Sequence, residues 1–204
     1  MIQPLRSAFR SPALWLAVSL GVMCFVLQAA GLEEQLRFDR SRINDGDWWL
    51  LLSGNFVHLG MSHLWMNLAG FALVVSLVWS HFNAFEWLVV ILLSSLVVGI
   101  GLWQLDPDVG WYVGFSGTLH GLIIAGSLAD LKTYPRSAAI LLLLVVAKLG
   151  WEQFAGALPG SESVAGGSVV VNAHLYGAIA GAVIGALLLL RQRLRRLPVS
   201  VRTS

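Results

Sequence analysis

Apolar residues along this chain come in long unbroken runs separated by short polar breaks, not in the alternating or three-and-four spacing of half-buried elements. The first run covers residues 12–30, with Pro12 suited to a first helical turn. It has the length of one bilayer crossing, exceeds a usual signal-peptide core and lacks an Ala-x-Ala exit, so it reads as a retained helix. Residues 31–47 are polar and mixed in charge, Trp48 and Trp49 mark a membrane interface, and the short apolar piece 50–57 is expected in or near that interface. Further runs follow at 60–79, 84–105, 114–131, 137–154 and 169–190. Between them stand a turn at 80–83, the helix stop Asp106-Pro107-Asp108, a polar break containing Asp130, Lys132, Pro135 and Arg136, and a Gly-, Ser- and Pro-rich loop at 156–168. The pattern predicts an all-α membrane protein with six transmembrane helices in a single domain, 1–204, without internal repeats.

Composition agrees with that reading. The 204 residues are 57% hydrophobic and 12% charged, which is not the make-up of a soluble domain. The formal charge of +2 comes from a basic C-terminal end, so nucleic-acid binding has no support. The single cysteine, Cys24, lies in an apolar run and has no partner for an intramolecular disulfide.

The basic residues orient the helices. With the N-terminus inside, the inner segments carry Arg6, Arg10, Lys132, Arg136, Arg191, Arg193, Arg195, Arg196 and Arg202, while the outer loops carry only Arg37, Arg40 and Arg42. Both termini are therefore expected in the cytoplasm of a cell whose inner membrane holds the chain. The second, fourth and sixth helices then run inward, and their first turns share one depth.

Those first turns hold polar residues that are costly in lipid: His58, His63 and Asn67 on the second helix, Ser116 and His120 on the fourth, Asn172 and His174 on the sixth. They are expected to converge on one polar cavity in the outer leaflet. Gly114 and Gly117 flank Ser116, so a substrate or a second backbone can approach its hydroxyl; the same glycines also suit plain helix packing. A hydroxyl beside an imidazole makes a nucleophile with its general base, and amide, imidazole or backbone donors nearby can hold an oxyanion.

His63 and Asn67, four apart, share a helix face, whereas His58 and His63, five apart, do not, which disfavours a zinc site built on that pair; no metal or cofactor is expected. On the sixth helix His174, Gly177, Gly181 and Gly185 line one side, where the glycines allow close approach to a neighbour. His120, four residues after Ser116, competes with His174 as base, but one helix fixes both backbones and leaves few aligned rotamers. His120 is expected instead to pack against or hydrogen-bond His174 and hold its ring in place.

The sequence His58-x4-His63-x3-Asn67, then Gly114-Phe115-Ser116-Gly117, then Ala173-His174-x2-Gly177-x3-Gly181, each opening an alternate helix, resembles the rhomboid family of intramembrane serine proteases over residues 49–185. The resemblance implies Ser116 as nucleophile and His174 as base of a Ser-His dyad with no third acid. It also implies an oxyanion hole from His63, Asn67 and the Ser116 N–H, and a supporting role for His58. Two positions depart from the usual pattern: Leu50 follows Trp49 where Arg is common, and His120 stands where Tyr is common. The compact length and Ser-Gly-Thr-Leu-His-Gly are similar to the rhombosortase subfamily, which implies substrates with a C-terminal Gly-Gly-type sorting tail. The implied partners are the lipid bilayer and a single-span protein with small residues near the outer interface; the number of copies is left open.

A helical bundle that does not cleave peptides, either a proton-relay transporter or a membrane chaperone, is the competing class, since Lys148 and the histidines are compatible with it. Against it, the inner halves of the helices carry almost no ionisable residues, so no polar path crosses the membrane.

Overall fold

The computed structural model describes residues 11–195. Six long helices form the bundle: α1 (Pro12–Ala29), α2 (Met61–Val78), α3 (Ala84–Leu105), α4 (Ser116–Asp130), α5 (Pro135–Ala155) and α6 (Val171–Arg195). All but α4 are long and apolar enough to cross a membrane. At 15 residues, α4 spans about 22 Å, short of a hydrocarbon core of roughly 30 Å. Large apolar side chains such as Trp15, Leu143 and Phe154 face outward, as lipid contact requires. Arg6, Arg10, Arg196 and Arg202, which contributed to the orientation argument, lie outside the described residues.

Local chemistry sets several helix boundaries. Pro12 and Pro135 open α1 and α5, where a missing N–H costs nothing, so α5 begins two residues before its apolar run. A capping box opens α3: the Asn83 side chain accepts from the Glu86 N–H at 2.9 Å, and Glu86 accepts from the Asn83 N–H at 3.0 Å. The fourth apolar run starts at Gly114, but φ there is +123°, outside the helical region, and α4 starts two residues later at Ser116. At the other end of the chain α6 continues to Arg195, beyond the apolar stretch, because Arg is a good helix former with a side chain long enough to reach water.

The bundle is centred on the pair α4 and α6, which meet along a seam of small residues. A side chain on Gly177 or Gly181 would collide with the carbonyl oxygens of Gly117 and Gly121, and a Cβ on Gly185 would stand 2.8 Å from Ala125 Cα. Such close approach maximises dispersion contacts where lipid leaves no hydrophobic driving force between helices. The helix α3 closes against the same pair, its Gly101 covered by the Tyr176 ring. At the opposite end from Ser116, Trp79 and Trp87 stack at 4.3 Å, and the Trp79 indole N–H donates to Ala13 O at 2.7 Å, tying α1 to α2.

Residues 31–60 form a folded loop. Its strand β1 (Phe38–Asp39) pairs antiparallel with β2 (Trp111–Tyr112) of the α3–α4 connection, in the register Phe38↔Tyr112. The segment 50–57, expected in or near the interface, packs into the protein: Leu50 and Val57 are fully buried. Arg40 anchors this loop. Its guanidinium donates to the carbonyls of Leu102 (2.6 Å), Trp103 (2.8 Å), Asp106 (2.7 Å) and Val109 (2.9 Å), capping the end of α3 and fixing the loop to it.

Candidate active site

A cavity of about 820 Å³ opens at the N-terminal ends of α2, α4 and α6. Its wall includes His63, Asn67, Ser116, His120 and His174, so five of the seven polar residues expected to converge there do so. His58 and Asn172 do not line it.

Ser116 is the first residue of α4, and the turn before it is tightly held. The Gly114 N–H donates to Gly54 O at 3.0 Å, and the Tyr112 hydroxyl donates to Gly114 O at 2.7 Å. Burial pushes the Tyr112 phenol well above its usual range, so it remains a donor. Gly114 is required on two counts: φ is positive, and a Cβ would lie 2.7 Å from Cε1 of His63. Phe115, wedged between Phe56 and Phe71, anchors the turn from below.

The Ser116 hydroxyl donates to Nε2 of His174 across the α4–α6 seam at 2.9 Å. His174 is 5% exposed. Its other nitrogen, Nδ1, donates to Oε2 of Glu152 on α5 at 2.9 Å, and the second oxygen of that carboxylate accepts from the Lys148 ammonium at 2.6 Å. The family resemblance implies a dyad without a third acid; here a carboxylate stands against the imidazole, on the side away from Ser116. An acceptor at Nδ1 puts the proton there and leaves the Nε2 lone pair for the serine.

His120 does not compete for the serine hydroxyl. Its ring stacks on that of His174, with centroids 4.3 Å apart and planes 21° apart, and its Nδ1–H donates to the Ser116 carbonyl at 2.7 Å. Its same-helix geometry directs it to the backbone, as the restricted rotamers require.

Across the cavity, the Asn67 amide donates one N–H to His63 O at 3.1 Å and retains a second. His63 Nδ1 accepts from the Leu59 N–H at 3.4 Å, which leaves Nε2–H as the donor of a neutral ring. His58 packs edge-on against His63 at 5.2 Å. The five-residue spacing predicted separate faces, but His58 precedes α2 and is not bound by helical periodicity. Its ring is fully buried and neither nitrogen has a hydrogen-bond partner among the described residues. Burial, with a smaller contribution from His63, lowers its pKa to about 3. Asn172 instead donates to Asp106, which also accepts from the Tyr176 hydroxyl at 2.6 Å; these bonds tie the α3–α4 connection to α6.

His120, Glu152 and His174 present donor atoms within 4.8 Å of one another, close enough to share a cation. The Lys148 ammonium already lies against two of the three, 2.6 Å from Glu152 and 3.3 Å from His174 Nδ1. A divalent ion there would face its repulsion.

Glu152 is the residue that sequence reasoning missed. Its signal was present: Lys148 and Glu152 are an i, i+4 ionisable pair in a membrane helix, placed to share a face.

Arranged in this way, the residues can attack an acyl carbon and hold the resulting oxyanion. Among known families, the model described as Rhomboid domain matches residues 45–191, well over half of the chain. No curated protein matches it.

Proposed function

We propose that this chain, which belongs to the rhomboid family, is an intramembrane serine protease acting through Ser116 and His174. The observation that carries the reading is the 2.9 Å contact from Ser116 Oγ to His174 Nε2 at the wall of the cavity, opposite Asn67 and His63. Nucleophile and base are within hydrogen-bond reach without any rearrangement.

In the first half-reaction, Ser116 Oγ attacks the scissile carbonyl carbon as its proton passes to His174 Nε2. The Asn67 amide, His63 Nε2–H and the Ser116 backbone N–H stabilise the charge that develops on the carbonyl oxygen. Collapse of the tetrahedral adduct breaks the C–N bond, and His174 gives its proton to the departing amine. Water then attacks the acyl ester, again losing its proton to His174, and Ser116 leaves with that proton restored. His58 and His120 support this set by packing against His63 and His174.

The substrate class is a single-span membrane protein whose chain is locally extended near the outer face. Helical carbonyls are bonded and crowded by neighbouring turns, so small residues, glycine above all, favour the required opening. Resemblance to the rhombosortase subfamily points to C-terminal tails with Gly-Gly before a short apolar span and basic residues. Both termini are cytoplasmic in this reading, and the cavity opens outward from an inner membrane.

The decisive experiment compares wild type with Ser116→Ala and His174→Ala in proteoliposomes carrying a Gly-Gly-tailed single-span reporter. Each substitution is expected to abolish cleavage, since nucleophile and base act as a unit. Near-wild-type turnover by either one overturns the assignment. Unchanged tail length of such proteins in cells lacking this enzyme would remove the tail class and leave the protease reading intact. A cysteine at Glu162 reacting only with an external reagent, and one at Lys132 only from inside, is the expected orientation.

A further inference from the structure

His174 uses its two nitrogens for different partners, and the one turned away from Ser116 meets an ion pair contributed by a single helix. Glu152 is 3% exposed. One of its oxygens accepts from His174 Nδ1 at 2.9 Å, the other from Lys148 at 2.6 Å. We propose that Glu152 and Lys148 act as a positioning pair for His174. Glu152 holds the imidazole in the tautomer that leaves Nε2 unprotonated, and Lys148 keeps the carboxylate ionised and turned so that one oxygen is committed to the ring. This rests on the Ser116–His174 reading above.

Helix stability does not account for the pair. Lys precedes Glu at i, i+4, the less favourable order in a helix, and replacing a buried ion pair by apolar side chains is often neutral or stabilising. The geometry does serve orientation. A free carboxylate beside the ring could rotate, or take a proton and present an O–H to Nδ1. The ammonium, a donor with no acceptor capacity, prevents both by occupying Oε1. When Nε2 takes the serine proton, the imidazolium lies against a carboxylate already in place.

The pair makes Glu152→Gln diagnostic. The amide has one acceptor oxygen, and Lys148, able only to donate, claims it. The NH₂ then faces His174 Nδ1, which has to accept, so the imidazole proton moves to Nε2 and the base is lost. On the reporter described above, Glu152→Gln is expected to lower kcat about 10³- to 10⁴-fold with KM unchanged, the size known for a wrong-tautomer substitution in a triad. Lys148→Met/Glu152→Ala, which removes both the acceptor and the ammonium from beside Nδ1 and so leaves both tautomers available, is expected to lose less. Adding Lys148→Met frees the amide to turn its oxygen toward Nδ1–H, so Lys148→Met/Glu152→Gln should regain at least about tenfold over Glu152→Gln, by the same tautomer argument. A role confined to packing predicts that the double variant is no better than the worse single one.

Melting temperature in detergent establishes that each variant is folded. Should Glu152→Gln fail to fold, Lys148→Met/Glu152→Met replaces the pair with apolar chains and carries the test, with an expected loss in kcat of about a hundredfold or more. The proposal is overturned by a Glu152→Gln kcat within about threefold of wild type, by a double variant that regains nothing, or by full turnover of the double Met variant. Cleavage by Ser116→Ala would instead overturn the protease reading itself; inactivity of Ser116→Ala beside full activity of Glu152→Gln would overturn the positioning pair alone.

Discussion

Adding one methyl group beside the nucleophile, Gly117→Ala, should separate catalysis from stability. A Cβ at residue 117 would stand 2.8 Å from the carbonyl oxygen of Ala173 and 3.0 Å from Val98 Cγ2. Ordinary C···O contacts lie near about 3.3–3.6 Å, so the first turns of α4 and α6 must part by roughly 0.5–0.8 Å. Ala173 adjoins His174, and most of that displacement falls on the 2.9 Å Ser116–His174 bond, carrying it to about 3.5 Å, where it ceases to function as one. Misplacement of this size costs on the order of a hundredfold in kcat, and the overpacking costs about 1–3 kcal/mol of stability. The control is Gly185→Ala, whose Cβ would meet Ala125 Cα at 2.8 Å in the same seam, about 16 Å farther along α6 from His174. Peptide cleavage in micelles and melting temperature should both be measured. The expected result is a similar loss of melting temperature in both variants, with a large loss of kcat only in Gly117→Ala. Equal losses of kcat would show that activity follows stability of the seam and would refute the argument from separation.

Three further outcomes are expected. Asn67→Ala should lower kcat by on the order of a hundredfold or more with little change in KM, as for a lost oxyanion donor; a change in KM alone would assign Asn67 to substrate recognition. His120→Tyr should retain substantial activity because an aromatic ring can still stack on His174, while His174→Tyr should have none; the reverse pattern in a peptide-cleavage assay would make His120 the base. Folding stability should fall as pH drops from 6.5, because burial lowers the His58 pKa to about 3 and the unfolded chain takes up a proton that the folded one refuses. The His58 contribution is fully present above pH 6.5 and approaches a slope of about 1.4 kcal/mol per pH unit below it, so His58→Leu should flatten a stability–pH curve in that window.

The sequence made the helices legible because five of the six long apolar runs have Pro, Asp, Lys or Arg at one end or both, and these residues act locally. The site was legible where helical spacing governs it: His63 with Asn67, and His174 with the glycines facing α4. It was obscure where partners come from distant backbone. Arg40 bonds to carbonyls more than sixty residues away, and no side-chain pattern reports a carbonyl. Asn172 resembled a cavity residue by depth alone, yet its partner Asp106 lies in a loop whose course a linear reading does not give. The two ladder strands are two residues each, too short for an alternation to register. Glu152 was passed over because it approaches His174 from α5, a helix that the alternate-helix pattern leaves out.

Under the proposed mechanism, the shortness of α4 has a consequence for the fate of the cleaved chain. Ser116 heads a helix some 8 Å shorter than the apolar layer it stands in, so the distance from the nucleophile to bulk solvent is bridged by the cavity rather than by protein. That shaft is the supply line for the water that ends each catalytic cycle. A product that leaves quickly lets water descend and free the enzyme, whereas one that stays in the mouth blocks the supply and prolongs the life of the ester. How long the departing segment lingers then sets a race between hydrolysis and capture by any amine small enough to share the passage.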